Sequence, residues 1–394
     1  MIGKIGRDLH ACLSAQERFE QLRKEALLRH DRGLCDLSYA NAYDGPSPEV
    51  IGAIRQALDA PGTLDLQYTP YGGSTITRRL VAHSLSQSHN VHFNWRDIVM
   101  TPGAMSALNI LFRAVQTGEW SDEVIVVTPC WLDYPLYLSH LHIRPIFVPV
   151  ESSSLHLDLD RIKGAIGPRT RAVILSQPAN PTGILYTDEE LRQLADLLRS
   201  AKNEILLISD ECHREVLFGD QVFVSPSRHY DSTCIVYSFG KSHFMQGQRI
   251  GYVAVSPRMK DGDEVRVLLE RLCRIMGFCT PTALMQLAVR NMLAIRPDLS
   301  RIGIRRERVI SELAAAGYAL VPSQATFFLY PQAPGFDDFA FVEDLSARGV
   351  MVLPSTMFHH SGYFRMSLTA TDEMLDRALP VLQAAIEHCR EMAT

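Results

Sequence analysis

Six short runs of apolar residues are spaced along the middle of the chain, with stretches of helical periodicity between them. The runs are IVM (98–100), VIVV (124–127), AVIL (172–175), ILLIS (205–209), CIVY (234–237) and YVAV (252–255). Each is too short for a helix and apolar throughout, the pattern of strands buried on both faces of a parallel sheet. Segments such as AMSALNILFRAV (104–115) and DEELRQLADLLRS (188–200) space their apolar residues as one face of a helix. Strands alternating with helices predict an α/β fold with helices covering both faces of the sheet. Residues 264–276, 281–295 and 296–317 continue as helices. The character then changes: FFLYP, a helix near 337–347, VMVLP, FRMSL and a last helix from about 371 predict a smaller α+β unit. Residues 47–295 are expected to form a large domain, and residues 1–46 with 296–394 a small one. The 394 residues are enough for both.

Ligands of open α/β sheets bind outside the carboxyl ends of the strands, so the turns following those ends carry the functional information. Five of them are polar or rich in small residues: TPGAMSAL, TPCWLDY, SQPANPTG, SDECH and SFGKSHFMQGQRIGY. All five are expected on one rim. TPG before a helix start offers the backbone N–H groups of Gly103, Ala104 and Met105 as an anion site. Ser238 and Arg249 add a hydroxyl and a guanidinium, both good partners for phosphate. Trp131 offers a flat face for stacking on a ring. Asp210 is a carboxylate at a buried strand end, which is costly unless a cation pairs with it. Lys241 brings an amine to the same crevice. Phosphate cradle, aromatic face, acid and lysine together describe a site for a pyridine aldehyde phosphate, pyridoxal 5'-phosphate (PLP).

Charge and composition exclude several other classes. A net charge of −5, without a basic run, argues against a nucleic-acid partner. No stretch of about 18 apolar residues predicts a membrane span, and the charged N-terminal segment does not read as a signal peptide. Eight scattered cysteines without a C-x-x-C pair read as reduced thiols of a cytoplasmic protein, not as disulfides or a zinc site. Of the histidines only His359 and His360 adjoin, and neighbouring side chains point apart, so no metal is expected. Gly240-Lys241-Ser242 ends like a P-loop, but Ile235 stands where that loop needs glycine, and no G-x-G-x-x-G occurs.

The string SFGKSHFMQGQRIGY resembles the cofactor-lysine motif of the class I/II aminotransferases, PLP enzymes of fold type I related to aspartate aminotransferase. QPANPTG and SDE are similarly placed, and FRMSL resembles the segment with the carboxylate-binding arginine. The resemblance runs from Tyr68 to Arg365. It implies a large domain with a mainly parallel seven-stranded sheet between helices, and a small α+β domain. It implies that Lys241 forms the Schiff base and shuttles a proton, and that Asp210 pairs with the pyridinium nitrogen. Asn180 would bond the phenolic oxygen, Trp131 stack on the ring, and Gly103, Ala104, Met105, Ser238 and Arg249 hold the phosphate. Tyr68 would reach the phosphate from the neighbouring subunit, so the site would be shared across a homodimer. Arg365 would clamp the substrate α-carboxylate, with Asn180 and Trp131 beside it. LSYANAYDG leaves a backbone contact to that carboxylate between Ala40 and Asn41.

One position departs from the family pattern. His213 stands where a tyrosine is usual, touching the phenolic oxygen; imidazole can donate the same bond but titrates near neutral pH. SDECHREVLFGD therefore also resembles the carbon–sulfur lyase branch of the fold. The expected activity is transfer of an amino group from an L-amino acid to a 2-oxo acid by a ping-pong mechanism; β-elimination or cyclisation is the alternative. A non-catalytic regulator is a third reading, but the 46 residues ahead of the large domain are too few for a DNA-binding unit. No second arginine argues for a dicarboxylate substrate, and Tyr39, Tyr43 and Phe358 hint at an apolar or aromatic side chain.

Overall fold

The computed structural model describes residues 4–59, 62, 66–118, 122–278, 280–321, 323–335 and 337–392. Three helices come first: α1 (Lys4–His30), α2 (Pro48–Asp59) and α3 (Thr75–His89). Then follow β1 (Ile98–Thr101), α4 (Ala104–Ala114), β2 (Glu123–Thr128), α5 (Tyr134–His140), β3 (Arg144–Pro149), β4 (Thr170–Ser176), α6 (Asp188–Arg199), β5 (Leu206–Asp210), β6 (Thr233–Ser238) and β7 (Gly251–Val255). The seven strands form one sheet in the order β1-β7-β6-β5-β4-β2-β3. β7 alone runs antiparallel to its neighbours β1 and β6. The ends of β1, β2, β4, β5 and β6 therefore share one rim, with Asp210 level with Ser176 and Val236.

Successive side chains of a strand face opposite sides, and the core divides accordingly. Val124, Val126, Ile174, Ile208, Val236 and Val253 pack with Ala107, Leu111 and Leu138 on one face. On the other face Ile98, Met100, Ile235, Tyr237 and Tyr252 meet Val81, Leu85, Ala288 and Met292 beneath α3 and the later α8. Each fully buried aliphatic side chain contributes roughly 1.5–3 kcal/mol, so the sheet is a rigid floor for its rim. α6 begins with a capping box in which Thr187 and Glu190 satisfy each other's backbone N–H groups.

Beyond β7 lie α7 (Gly262–Met276), α8 (Ala283–Met292) and α9 (Ser300–Ala316). The helices expected over 281–295 and 296–317 are shorter than their patterns. Pro297 cannot continue a helix and biases Arg296 away from helical angles, and Asp298 Oδ1 accepts the Ser300 N–H at the restart. The C-terminal part contains β8 (Phe328–Leu329), α10 (Asp338–Ala347), β9 (Leu353–Pro354), β10 (Phe364–Ser367) and α11 (Asp372–Met392). These three strands form an antiparallel sheet, β9-β10-β8, while Val350–Met351 pairs parallel with Cys35–Asp36 of the N-terminal segment. One apolar cluster runs from Phe19 and Leu37 through Val127, Val173 and Leu175 of the large sheet to Phe328, Leu345, Phe364 and Leu382. N-terminal segment, sheet and C-terminal part thus share a core, and Arg305 ties them further by bonding both Asp44 and Asp372.

Among the described residues no cysteine is in a disulfide, and no helix is long and apolar enough to cross a membrane. Cys279 lies outside the described residues.

Candidate active site

Three rim turns build an anion-receptive corner. After β1 the chain turns at Gly103, whose φ of +77° is the left-handed conformation glycine adopts freely. The Gly103 N–H donates to Thr101 O at 2.8 Å, and Thr101 Oγ1 donates to Gly103 O at 3.0 Å. The Gly103 N–H is thus engaged within the turn. The free donors are Ala104 and Met105, whose first-turn N–H groups have no intrahelical acceptor. A Cβ at Gly103 would stand 2.7 Å from Arg249 Nη2, so glycine is what lets the guanidinium lie against the start of α4. Arg249 Nη1 is fixed on Gln246 O at 2.8 Å. Ser238, buried at the end of β6, completes the corner.

The acid and the amine lie deeper. Asp210 is the last residue of β5; its Oδ2 accepts the Tyr134 hydroxyl at 2.6 Å and its Oδ1 the Cys212 N–H at 3.1 Å. Burial raises the Asp210 pKa, opposed by those two bonds and by the charge of Lys241. Lys241 sits in a short helix, Phe239–Ser242, with its Nζ 5.7 Å from the centre of the Phe327 ring. Burial lowers its pKa to about 8, and the charges of Arg365 and Arg249 push the same way against the pull of Cys212 and Asp210. A lysine shifted so far is a far better nucleophile near neutrality than a surface one. Trp131, in the turn after β2, presents its ring edge-on to Tyr134 and Tyr137, at centroid distances of 5.5 and 5.9 Å.

A buried arginine faces this group from the C-terminal sheet. Arg365 on β10 donates from Nη1 to Asn180 Oδ1 at 3.1 Å and from Nη2 to Ser38 O at 2.9 Å. Its guanidinium lies over the Phe328 ring at 3.9 Å, and burial works against its charge. A desolvated cation in such a place calls for an anion. His213 is buried against the edges of Phe327 and Phe328, with no partner for its Nδ1. Burial, then the charges of Lys241 and Arg365, hold its pKa well below the usual 6.5. The imidazole is therefore neutral at physiological pH, not poised to titrate there.

Ala104, Met105, Trp131, Asn180, Asp210, His213, Ser238, Lys241 and Arg249 all line one cavity of about 130 Å³. Gly103 reaches it through Arg249 and Arg365 through Asn180. Two expected residues stand apart in the single chain. Tyr68 is fully exposed. Asn41 is exposed too, and the early backbone group that meets Arg365 belongs to Ser38, while Ala40 O accepts from Gln246 Nε2 at 3.0 Å. The sequence reading missed Tyr134, Ser176 and Cys212. Tyr134 carried a signal, since it follows Trp131 by three residues in TPCWLDY, on the same rim. A larger cavity, about 510 Å³, lies between α3 and α8, but neither Lys241 nor Asp210 lines it.

Comparison with known proteins agrees with this geometry. The family model "Aminotransferase class I and II" matches residues 34–382. An aspartate/prephenate aminotransferase of Thermus thermophilus is 31% identical over 357 residues, covering 86% of this chain and 88% of that protein. An aspartate aminotransferase of Bacillus subtilis is 27% identical, covering 82% and 84% respectively. The crystal structure of an aminotransferase from Eubacterium rectale superposes with a TM-score of 0.88 at 26% identity, over 98% of this chain and 96% of that one.

Proposed function

The chain belongs to the class I and II aminotransferases and is a PLP-dependent transaminase; on that premise we propose how its residues divide the work. The residues fit the cofactor. The N–H groups of Ala104 and Met105, with Ser238 and Arg249, suit a phosphate, and the missing Cβ of Gly103 opens the space for it. Asp210 suits a protonated ring nitrogen, the Trp131 face a flat ring, and Asn180 with the unpartnered His213 Nδ1 a phenolic oxygen.

PLP, when bound, supplies an electron sink for the charge left on breaking the substrate Cα–H bond. Lys241 would hold the aldehyde carbon through its amine and, once the substrate amine displaces it, remove the α-proton and redeliver it. Asp210 would keep the ring nitrogen protonated. Arg365, aimed by Asn180 and Ser38, would grip the α-carboxylate through its two parallel N–H donors and set the Cα–H bond toward Lys241. The observation that carries this reading is that the buried Lys241 amine shares one cavity with Asp210, Asn180, Trp131, Ser238 and Arg249.

The donor is an L-amino acid and the acceptor a 2-oxo acid, used in turn. Aspartate, in the names of the relatives, is the first donor to test, beside an aromatic amino acid, since Phe328 and Phe358 flank Arg365. The working unit is a homodimer, as the exposure of the large apolar side chains of Leu66, Tyr68, Tyr71, Ile76, Ile275 and Phe278 in the single chain favours. Tyr68 then completes the phosphate site of the partner subunit. The large unit spans 47–295 and the small one 1–46 with 296–394, and the reduced thiols suit the cytoplasm.

The relatives are aminotransferases, so elimination is not the favoured reading of His213. A single amino donor without acceptor should yield one 2-oxo acid per site and then stop until a 2-oxo acid is added. Continuous release of ammonia from a cysteine-type substrate without acceptor would contradict the proposal.

A further inference from the structure

A second, wholly buried charge cluster stands directly behind the acid of the site. Glu211 follows Asp210, and strand alternation sends the two side chains to opposite faces. Asp210 reaches Tyr134 on α5; Glu211 reaches His89, the last residue of α3. His89 Nε2 and Glu211 Oε2 are 2.7 Å apart, and neither side chain has any exposed surface. The other imidazole nitrogen lies 2.8 Å from Ser88 Oγ, which donates to Leu85 O. Glu211 Oε1 accepts from Ser209 and Ser225, and Arg214 Nη1 stands 3.5 Å from Oε2. Arg214 lies over the Tyr237 ring at 3.8 Å and donates to the Tyr252 hydroxyl at 2.8 Å. Tyr237 in turn bonds Ser242, the residue after Lys241. The cluster thus joins the end of α3 to the strands that end in Asp210 and Ser238 and to the short helix that carries Lys241.

Such a cluster is a poor device for stability alone. Buried ion pairs contribute little net stability, and an apolar pair of similar volume does as well or better. What hydrogen bonds add is direction. Glu211 is anchored through its backbone as well, its N–H donating to Val236 O on β6. With Glu211 fixed at both ends, the preceding residue has no freedom to rotate about the strand axis. We propose that His89 and Glu211 are positioning residues for Asp210, holding its carboxylate in line for the cofactor ring nitrogen. This rests on the reading of Asp210 given above.

The double variant His89→Leu/Glu211→Leu removes the pair whole, and Arg214 keeps its bond to the Tyr252 hydroxyl, its place over the Tyr237 ring and Glu215 at 4.0 Å. The variant is expected to keep the melting temperature of the cofactor-free protein. Its PLP dissociation constant, measured by equilibrium dialysis, should rise about tenfold or more, and the pH midpoint of the bound cofactor's visible absorption band should shift. Wild-type values of both would overturn the proposal. Should that chain not fold, His89→Phe repeats the test with Glu211 still beside Arg214, and the same two outcomes decide. His89→Gln keeps a donor toward Glu211 and should bring the dissociation constant back to within about threefold of wild type; no rescue would contradict a directional role. Asp210→Asn, measured alongside, separates the two ideas. If it changes neither value, the assignment of Asp210 fails first. If it changes both and the leucine pair changes neither, only the positioning role fails.

Discussion

The Tyr134 hydroxyl donates to Asp210 Oδ2 at 2.6 Å, joining the first residue of α5 to the last residue of β5 with both side chains buried. Burial raises the Asp210 pKa, and this bond works against it by stabilising the ionised form. Hydrogen bonds to charged groups contribute about 1.5–3 kcal/mol. Tyr134→Phe should therefore weaken cofactor binding by roughly tenfold or more. A carboxylate with a raised pKa loses its charge as pH falls, and the variant raises that pKa further. The acid limb of cofactor binding should accordingly move to higher pH, and dissociation constants across a pH series check it.

The Lys241 amine has a pKa lowered to about 8. Only the neutral amine attacks an aldehyde. In the cofactor-free protein the rate of PLP capture should climb about tenfold per pH unit below that value and level off above it. Stopped-flow absorbance measures the rate; a climb continuing to pH 10 would mean an unshifted lysine.

Arg365→Lys removes the planar fork and leaves Asn180 Oδ1 and Ser38 O without their donors. The loss should be about 2–4 kcal/mol, roughly hundredfold in kcat/KM for an amino acid. Amines lacking the α-carboxylate should be affected far less, so steady-state kinetics on such a pair of substrates isolates the contact.

His213 is held neutral by burial, so no limb of the pH–rate profile near 6.5 should belong to it. His213→Tyr should leave the shape of the kcat/KM profile unchanged between pH 6 and 8, whatever it does to the amplitude. Loss of a limb in that variant would show that the imidazole does titrate.

Mixing inactive Tyr68→Ala chains with inactive Lys241→Ala chains tests the shared site. In a hybrid dimer one of the two sites has both native residues, so random exchange of equal amounts should restore about a quarter of wild-type activity. No recovery after demonstrated subunit exchange would place Tyr68 outside the site of its partner.

The strands were readable because a strand buried on both faces leaves no room for polar residues, as in VIVV and CIVY. β3 gave no such signal: it is an edge strand, RPIFVP, with Arg144, Ile146 and Phe147 partly in solvent. α1 was also missed. Its sequence is largely polar, and among its described side chains Ala15, Phe19, Leu22 and Ala26 pack into the core, so the helix depends on tertiary contacts. Rim turns were legible because their residue types are unusual there. Contacts across long separations were not, such as Arg365 with Ser38 or His89 with Glu211, because chain spacing carries no trace of them. The Gly103 N–H shows a third limit: composition marks a turn, but not which of its donors the turn itself consumes.

The central claim is that one amine, that of Lys241, holds the cofactor. Purified protein loaded with PLP, treated with borohydride and digested, should carry a single phosphopyridoxyl group, located by mass spectrometry on the peptide containing Lys241. Label on any other lysine, or label that persists in Lys241→Ala protein, would contradict the account.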